Sequence, residues 1–138
     1  MSEKALVDTG PLVAFLDRSE AHHMWATEQF RHFSVPLFTC EPVLTECLFL
    51  LRRIPVAQDK LLDLVERRSL VLDFRMQEEI SSLRRLMAKY RDIGMSLADA
   101  CLVRMAETTG LPVCTLDSHF AVYRKHGRGA LSVICPEE

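Results

Sequence analysis

The sequence predicts an α/β fold: a mostly parallel sheet covered on both faces by helices. Three observations carry that prediction. Five short apolar runs read as strands, longer segments of helical periodicity alternate with them, and turn or capping residues punctuate the junctions. A chain of 138 residues fits a single domain, 1–138, with room for a sizeable core.

Ala5-Leu6-Val7 is the first strand, stopped by a turn at Asp8-Thr9-Gly10-Pro11. Leu12–Leu16 reads as a short helical segment and Glu20–Phe33 as a second helix, with Trp25 and Phe30 facing inward. Pro36-Leu37-Phe38 is the second strand, ended by Thr39. Pro42, at a first helical position, opens a helix running to about Ile54. Pro55 separates that helix from another over Val56–Arg68. Leu70–Leu72 is the third strand. Ile80, Leu83, Leu86 and Met87 then recur at amphipathic spacing within a helix over Met76–Tyr90. Ser96–Thr108 is the next helix, closed by Gly110. Val113–Thr115 is the fourth strand, Ser118–Lys125 a short helix, and Leu131–Ile134 the fifth strand.

Hydrophobic residues make up 49% and charged residues 26%, the balance of a water-soluble globular chain. No apolar run reaches membrane-helix length, and the start of the chain lacks a signal-peptide pattern, so the expected location is the cytoplasm. Cys40, Cys47, Cys101, Cys114 and Cys135 are odd in number, lack C-x-x-C spacing and have apolar neighbours. They read as small buried hydrophobes in a reducing compartment, not as a disulfide frame or zinc site. Net charge is -2, which is not the footprint of a basic DNA-binding domain. Setting aside the four acids discussed next leaves a slightly positive remainder, so composition leaves a nucleic-acid partner open.

Ligands of open parallel sheets sit beyond the carboxyl ends of the strands. Asp8 directly follows the first predicted strand, and Asp117 closely follows the fourth. Glu46 lies early in the helix after the second strand, and Asp99 lies in the first turn of the helix before the fourth. Three of these have an innocent alternative. Asp8 and Asp117 fit helix N-caps, and Ser96-x-x-Asp99 matches a capping box. Glu46 resists that reading, because Pro42, Val43, Phe49 and Leu50 surround it at helical spacing. Met95, Leu102 and Val103 place Asp99 on a similar stripe. A carboxylate on a buried stripe costs several kcal/mol unless a cation or donors compensate it. A hard divalent cation, Mg²⁺ or Mn²⁺, would relieve the mutual repulsion and could activate water for attack on a phosphodiester. Thr9 and Thr115 are assigned supporting roles, orienting ligands or substrate, beside an equally weighted reading as ordinary turn and strand threonines.

At these residues the sequence resembles the PIN-domain nucleases. The match is carried by Leu6-Val7-Asp8-Thr9-Gly10-Pro11-Leu12-Val13-Ala14, Leu97-Ala98-Asp99-Ala100, and Cys114-Thr115-Leu116-Asp117 followed by Phe120. Val43-Leu44-Thr45-Glu46 looks like the family's acid-bearing helix. The ordered set Asp…Glu…Asp…Asp spans almost the whole chain. The resemblance implies a three-layer α/β/α sandwich and an endoribonuclease that depends on Mg²⁺ or Mn²⁺. Its catalytic and metal-ligating residues would be Asp8, Glu46, Asp99 and Asp117. Small members resemble the toxin of VapBC-type toxin–antitoxin pairs, which implies an RNA substrate, a homodimer and a small inhibitory antitoxin. The polar residues Asp17, Arg18, Glu20, His22 and His23 depart from any shared pattern and receive no role.

The rivals are a catalytically weak PIN-like domain serving RNA binding or assembly, and an unrelated α/β phosphotransfer domain. Dehalogenase-type phosphatases want a second Asp where Gly10 stands, and receiver domains want an adjacent acidic pair and a late Lys. The five glycines form no phosphate-cradling loop. A plain interaction module leaves the acids on apolar stripes unexplained. Phosphate contacts could come from Arg52-Arg53, Arg67-Arg68, Arg84-Arg85, Lys89, Arg91, Arg124, Lys125 and Arg128, although most charge runs on helices are solvated faces. Arg104 is the candidate near-site cation, Leu62, Leu64 and Val65 are candidate dimer contacts, and the five histidines read as surface or loop residues.

Overall fold

Apolar pairs and triplets too short to stand alone build the sheet by pairing in parallel. The computed structural model describes residues 3–137. Its strands are β1 (Leu6–Val7), β2 (Leu37–Thr39), β3 (Leu70–Leu72), β4 (Val113–Cys114) and, last in the chain, β7 (Val133–Ile134). They form one five-stranded sheet in the order β3-β2-β1-β4-β7, with every neighbouring pair parallel. Leu6 and Val7 at its centre are fully buried, as expected of strands covered on both faces. Flanking helices are α1 (Thr9–Leu16), α2 (His23–His32), α3 (Glu41–Leu50), α4 (Pro55–Glu66), α5 (Ile80–Lys89) and α6 (Leu97–Thr109). The expected α/β/α architecture is what the chain adopts. No helix among the described residues is long and apolar enough to cross a membrane.

Local chemistry explains where the elements differ from the sequence reading. The expected turn at Asp8–Pro11 is instead the start of α1, because the Asp8 side chain accepts from the Thr9 amide and caps the helix. Pro11 then falls in the first turn, where its missing N–H costs nothing. The helix after β2 stops at Leu50 rather than Ile54, and Pro55 is the first residue of α4 rather than a spacer before it. Met76–Glu79 forms a separate 3₁₀ turn ahead of α5.

The largest difference lies at Ser118–Lys125, read as one helix. Only a 3₁₀ turn at Ser118–Ala121 forms. The chain then folds back as an antiparallel hairpin of β5 (Arg124–Lys125) and β6 (Gly129–Ala130). His126 and Gly127 both adopt left-handed backbone, φ 51° and 72°, and that reversal ends any helix.

α6 is the central helix. Ala98 to Val103, Met105 and Ala106 are all buried, and the helix meets β1, α3 and α5. Its start is fixed by Ser96, which accepts from the Asp99 amide at 3.1 Å, and its end by Gly110 at φ 73°. Cys40, Cys47, Cys101 and Cys114 are buried as expected, whereas Cys135 is exposed just beyond edge strand β7, where nothing covers it. Trp25 and Phe30 do turn toward the core.

Leu102 is fully buried in α6. Leu102→Ala should therefore cost about 2–5 kcal/mol in urea unfolding, through lost burial and the cavity left behind. A cost below about 1 kcal/mol would show that α6 is not the packed centre argued here.

Candidate functional site

Strand order reverses between β1 and β4: the chain builds outward to β3 on one side and to β7 on the other. Such a switch point leaves a crevice at the carboxyl ends of the two central strands. Asp8 and Thr115 follow those strands directly. The Asp8 amide donates to the Cys114 carbonyl at 3.0 Å, so the ladder itself positions the acid. The Asp8 carboxylate accepts from the Thr9 amide at 2.8 Å and from the Thr115 hydroxyl at 2.6 Å. Thr115 in turn accepts from the Asp117 amide at 2.9 Å, and the Thr9 hydroxyl donates to Glu46 at 2.7 Å. Both threonines thus link one candidate acid to another.

Asp99 enters from α6 and is 8% exposed, close to the 6% of Asp8. Its amide is capped by Ser96, but its carboxylate does not complete a capping box. It accepts instead from the Tyr123 hydroxyl at 2.8 Å. Burial first, and the hydrogen bond to Asp99 second, hold the Tyr123 hydroxyl far above its ordinary pKa, so it remains a donor. Asp117 sits at the rim, half-buried. It caps the 3₁₀ turn by accepting from the His119 amide at 2.9 Å, so its innocent reading is also correct.

Glu46 differs from the sequence expectation. It is exposed, and its helical neighbours Phe49 and Leu50 are exposed as well, at 61% and 55%. The face of α3 that turns inward carries Val43 and Cys47 instead. Of the stripe around Glu46 only Val43 is buried; its Phe49–Leu50 side is an open surface, and the bond from Thr9 holds the Glu46 side chain in place.

Electrostatically the site is an anion without a counter-ion. Burial pushes the Asp8 carboxyl up from 3.8 to about 6. Its two hydrogen bonds oppose the rise, and the charges of Asp99 and Asp117 add to it. Among the described residues no Lys or Arg forms an ion pair with Asp8, Glu46, Asp99 or Asp117, and His119 lies 3.5 Å from Asp117. Arg104, the cation expected near Asp99, is held instead by Glu79 at 2.7 Å and Glu107 at 3.3 Å. Buried thiols nearby offer no soft ligand: burial, followed by the Asp8 charge, pushes Cys47 and Cys114 up to about 12.

These residues suit a hard, hydrated cation better than a protein cage. Among the described residues no three His, Cys, Asp or Glu side chains stand together as a ready-made metal site. Mg²⁺ commonly keeps several waters and uses only one or two carboxylates. Asp8 and Asp99 are the buried, uncompensated oxygen donors that fit this demand, with Asp117 at the rim. Sequence reasoning missed Tyr123 and the pairing of His119 with Asp117. A lone tyrosine in a segment read as helix carried no signal that its hydroxyl reaches Asp99.

The raised Asp8 pKa gives a pH dependence of definite sign. Folded Asp8 holds its proton more tightly than the unfolded chain does, so between pH 3.8 and about 6 the folded state binds more protons. Its contribution to stability is therefore present at low pH and lost as pH rises through that window, by on the order of 3 kcal/mol. Metal-free Asp8→Asn should accordingly raise Tm at neutral pH by roughly 10 °C and flatten its fall above about pH 4. A lowered Tm in that variant would contradict the uncompensated charge.

The likeness to known proteins agrees with this fold. A solved structure from Mycobacterium tuberculosis, VapC20, described as a sarcin–ricin-loop-cleaving toxin, superposes with a TM-score of 0.76. It is 19% identical, with 86% of this chain and 93% of that one covered, a likeness of fold. No curated protein sequence matches the chain. The profile of the PIN domain matches residues 5–126, which include Asp8, Glu46, Asp99 and Asp117, and the chain belongs to the PIN domain family.

Proposed function

We propose that the chain is an Mg²⁺- or Mn²⁺-dependent endoribonuclease whose site is formed by Asp8, Glu46, Asp99 and Asp117. One observation carries the reading: two buried carboxylates, Asp8 and Asp99, lie near enough at the sheet's switch point to repel each other, with hydrogen-bond donors fixed on them and, among the described residues, no Lys or Arg ion-paired to either. Folding such a pair is unfavourable unless the site takes up positive charge when it works. Asp8 and Asp99 would hold the ion, with Asp117 as a further oxygen donor at the rim. When bound, the ion would supply charge neutralisation and a more acidic water for phosphodiester hydrolysis.

The chain's own residues do the positioning. Thr115 and the Thr9 amide aim the Asp8 oxygens, Tyr123 aims those of Asp99, and Thr9 holds Glu46 at the solvent side. Glu46, exposed and hydrogen-bonded through one oxygen, would take a proton from an attacking water at the solvent side of the site. The His119 ring lies 3.5 Å from the Asp117 carboxylate and would help to hold that side chain at the rim.

The likeness to VapC20, described as a sarcin–ricin-loop-cleaving toxin, supports a toxin that acts on RNA. A cytoplasmic location and restraint by a small antitoxin complete the proposal. Exposed large apolar side chains, Phe49 and Leu50 side by side on α3 and Val56 and Leu62 on α4, support a protein partner or a homodimer. Leu64 and Val65, candidate dimer contacts from the sequence, are packed against the core and are not among them.

Purified protein supplied with Mn²⁺ or Mg²⁺ should cut RNA. Asp8→Asn and Asp99→Asn should each lower cleavage by about 10²-fold or more with the fold intact by circular dichroism. Tyr123→Phe should leave the fold in place, lower activity and raise the Mn²⁺ needed for half-maximal rate, by about 10-fold or more. Undiminished cleavage by both Asn variants would remove the site assignment. RNA binding without any cleavage would support the catalytically weak reading instead.

A further inference from the structure

We propose that the outer face of α5, continued by Arg91, is the track that grips the RNA backbone on the Asp99 side of the site; this rests on the nuclease reading. The helix turns Leu83 and Leu86 inward and exposes Arg84, Arg85 and Lys89, and its residues Ile80–Lys89 include no acid. None of Arg84, Arg85, Lys89 and Arg91 forms an ion pair among the described residues.

Apart from Asp92, the acids nearest this face are committed elsewhere. Glu78 pairs with Arg75 at 3.7 Å, and Glu79 and Glu107 both hold Arg104. Asp92 remains beside Arg91, and the face stays net positive. The whole chain carries a net charge of -2, so positive charge is gathered here against the average. Like charges at i and i+4, as in Arg85 and Lys89, repel along a helix. A polyanion laid across them reverses that cost.

The shape fits as well. Arg85 separates two depressions. One, of about 370 Å³, is lined by Lys89, Arg104, His126 and Glu107, the acid being already paired with Arg104, and the other, of about 600 Å³, by Arg84 and Arg91. The β5–β6 hairpin leaves room for the ammonium: a Cβ at Gly127 would stand 3.3 Å from the Lys89 Nζ. Two aromatic rings join this face to the catalytic acids. Lys89 lies 5.3 Å from the centre of the Tyr90 ring, Tyr90 packs edge-on against Tyr123 at 4.9 Å, and Tyr123 donates to Asp99. Arg124 is not part of the track, because one guanidinium nitrogen is turned back onto the carbonyls of Ala121, Val122 and Tyr123.

The test is fluorescence anisotropy with a labelled RNA hairpin, in EDTA so that no cleavage intrudes, over about 50 to 200 mM salt. Arg85→Gln/Lys89→Gln should bind about tenfold more weakly at low salt, with the slope of log K against log salt reduced by roughly 1–2. Arg18→Gln/Lys60→Gln removes the same charge elsewhere and should bind as the unaltered protein does. Equal affinities and slopes for the two double variants would overturn the track. A changed oligomeric state of Arg85→Gln/Lys89→Gln at unaltered RNA affinity would also overturn it and assign the face to a protein contact. Cleavage with Mn²⁺, run in parallel, separates the two claims: intact cleavage with unaltered binding sinks the track alone. Weakened binding by a protein that never cuts sustains the track and sinks the nuclease.

Discussion

The Asp8 carboxylate, buried at the end of β1 with no Lys or Arg paired to it among the described residues, is the constraint around which the rest of the structure is arranged. β1 and β4 must be parallel and in register for the Asp8 amide to reach the Cys114 carbonyl and for Thr115 to stand beside the carboxylate. α1 must begin at Thr9 for its first amide to point at the same group. α6 must be buried nearly all round for Asp99 to be delivered from a second direction. Each requirement is met by ordinary packing of fully buried side chains such as Leu6, Val7, Leu102 and Val103. Together they hold like charges close, at a cost that packing offsets and that a bound cation would remove.

Hydrogen bonding gives the site its order. Neighbouring carboxylates in a crevice would turn apart if free, yet each candidate acid has a defined donor: Thr115 and the Thr9 amide, the Thr9 hydroxyl, Tyr123, and the His119 amide. Fixed donors reduce the reorganisation needed when charge changes in the site. Tyr123 also connects two parts of the molecule. It joins Asp99 to the Tyr90 ring and thereby to the charged face of α5.

The fold was legible because its signals are local. Apolar triplets such as Leu70–Leu72, the caps at Ser96 and Gly110, and the prolines at Pro42 and Pro55 each announce an element boundary. Asp8 and Asp117 were legible as candidates because they follow strands, and their capping role proved to coexist with their place in the crevice. What stayed hidden depends on tertiary contact. The stripe around Glu46 has the periodicity of a buried face, but periodicity cannot say whether a neighbour covers Phe49 and Leu50, and none does. Arg104 is close to Asp99 in sequence, yet α6 turns it toward Glu79 and Glu107. Tyr123 and the β5–β6 hairpin depended on left-handed backbone at His126 and Gly127. His126 gave no warning of it.

The claim that an uncompensated carboxylate pair awaits a cation is tested most directly by calorimetric titration of Mn²⁺ at about pH 6, in two buffers of different ionisation enthalpy. With Asp8 titrating at about 6, the account predicts binding that expels roughly half a proton and that is lost in Asp8→Asn. Mn²⁺ binding that releases no proton and persists undiminished in Asp8→Asn would contradict it.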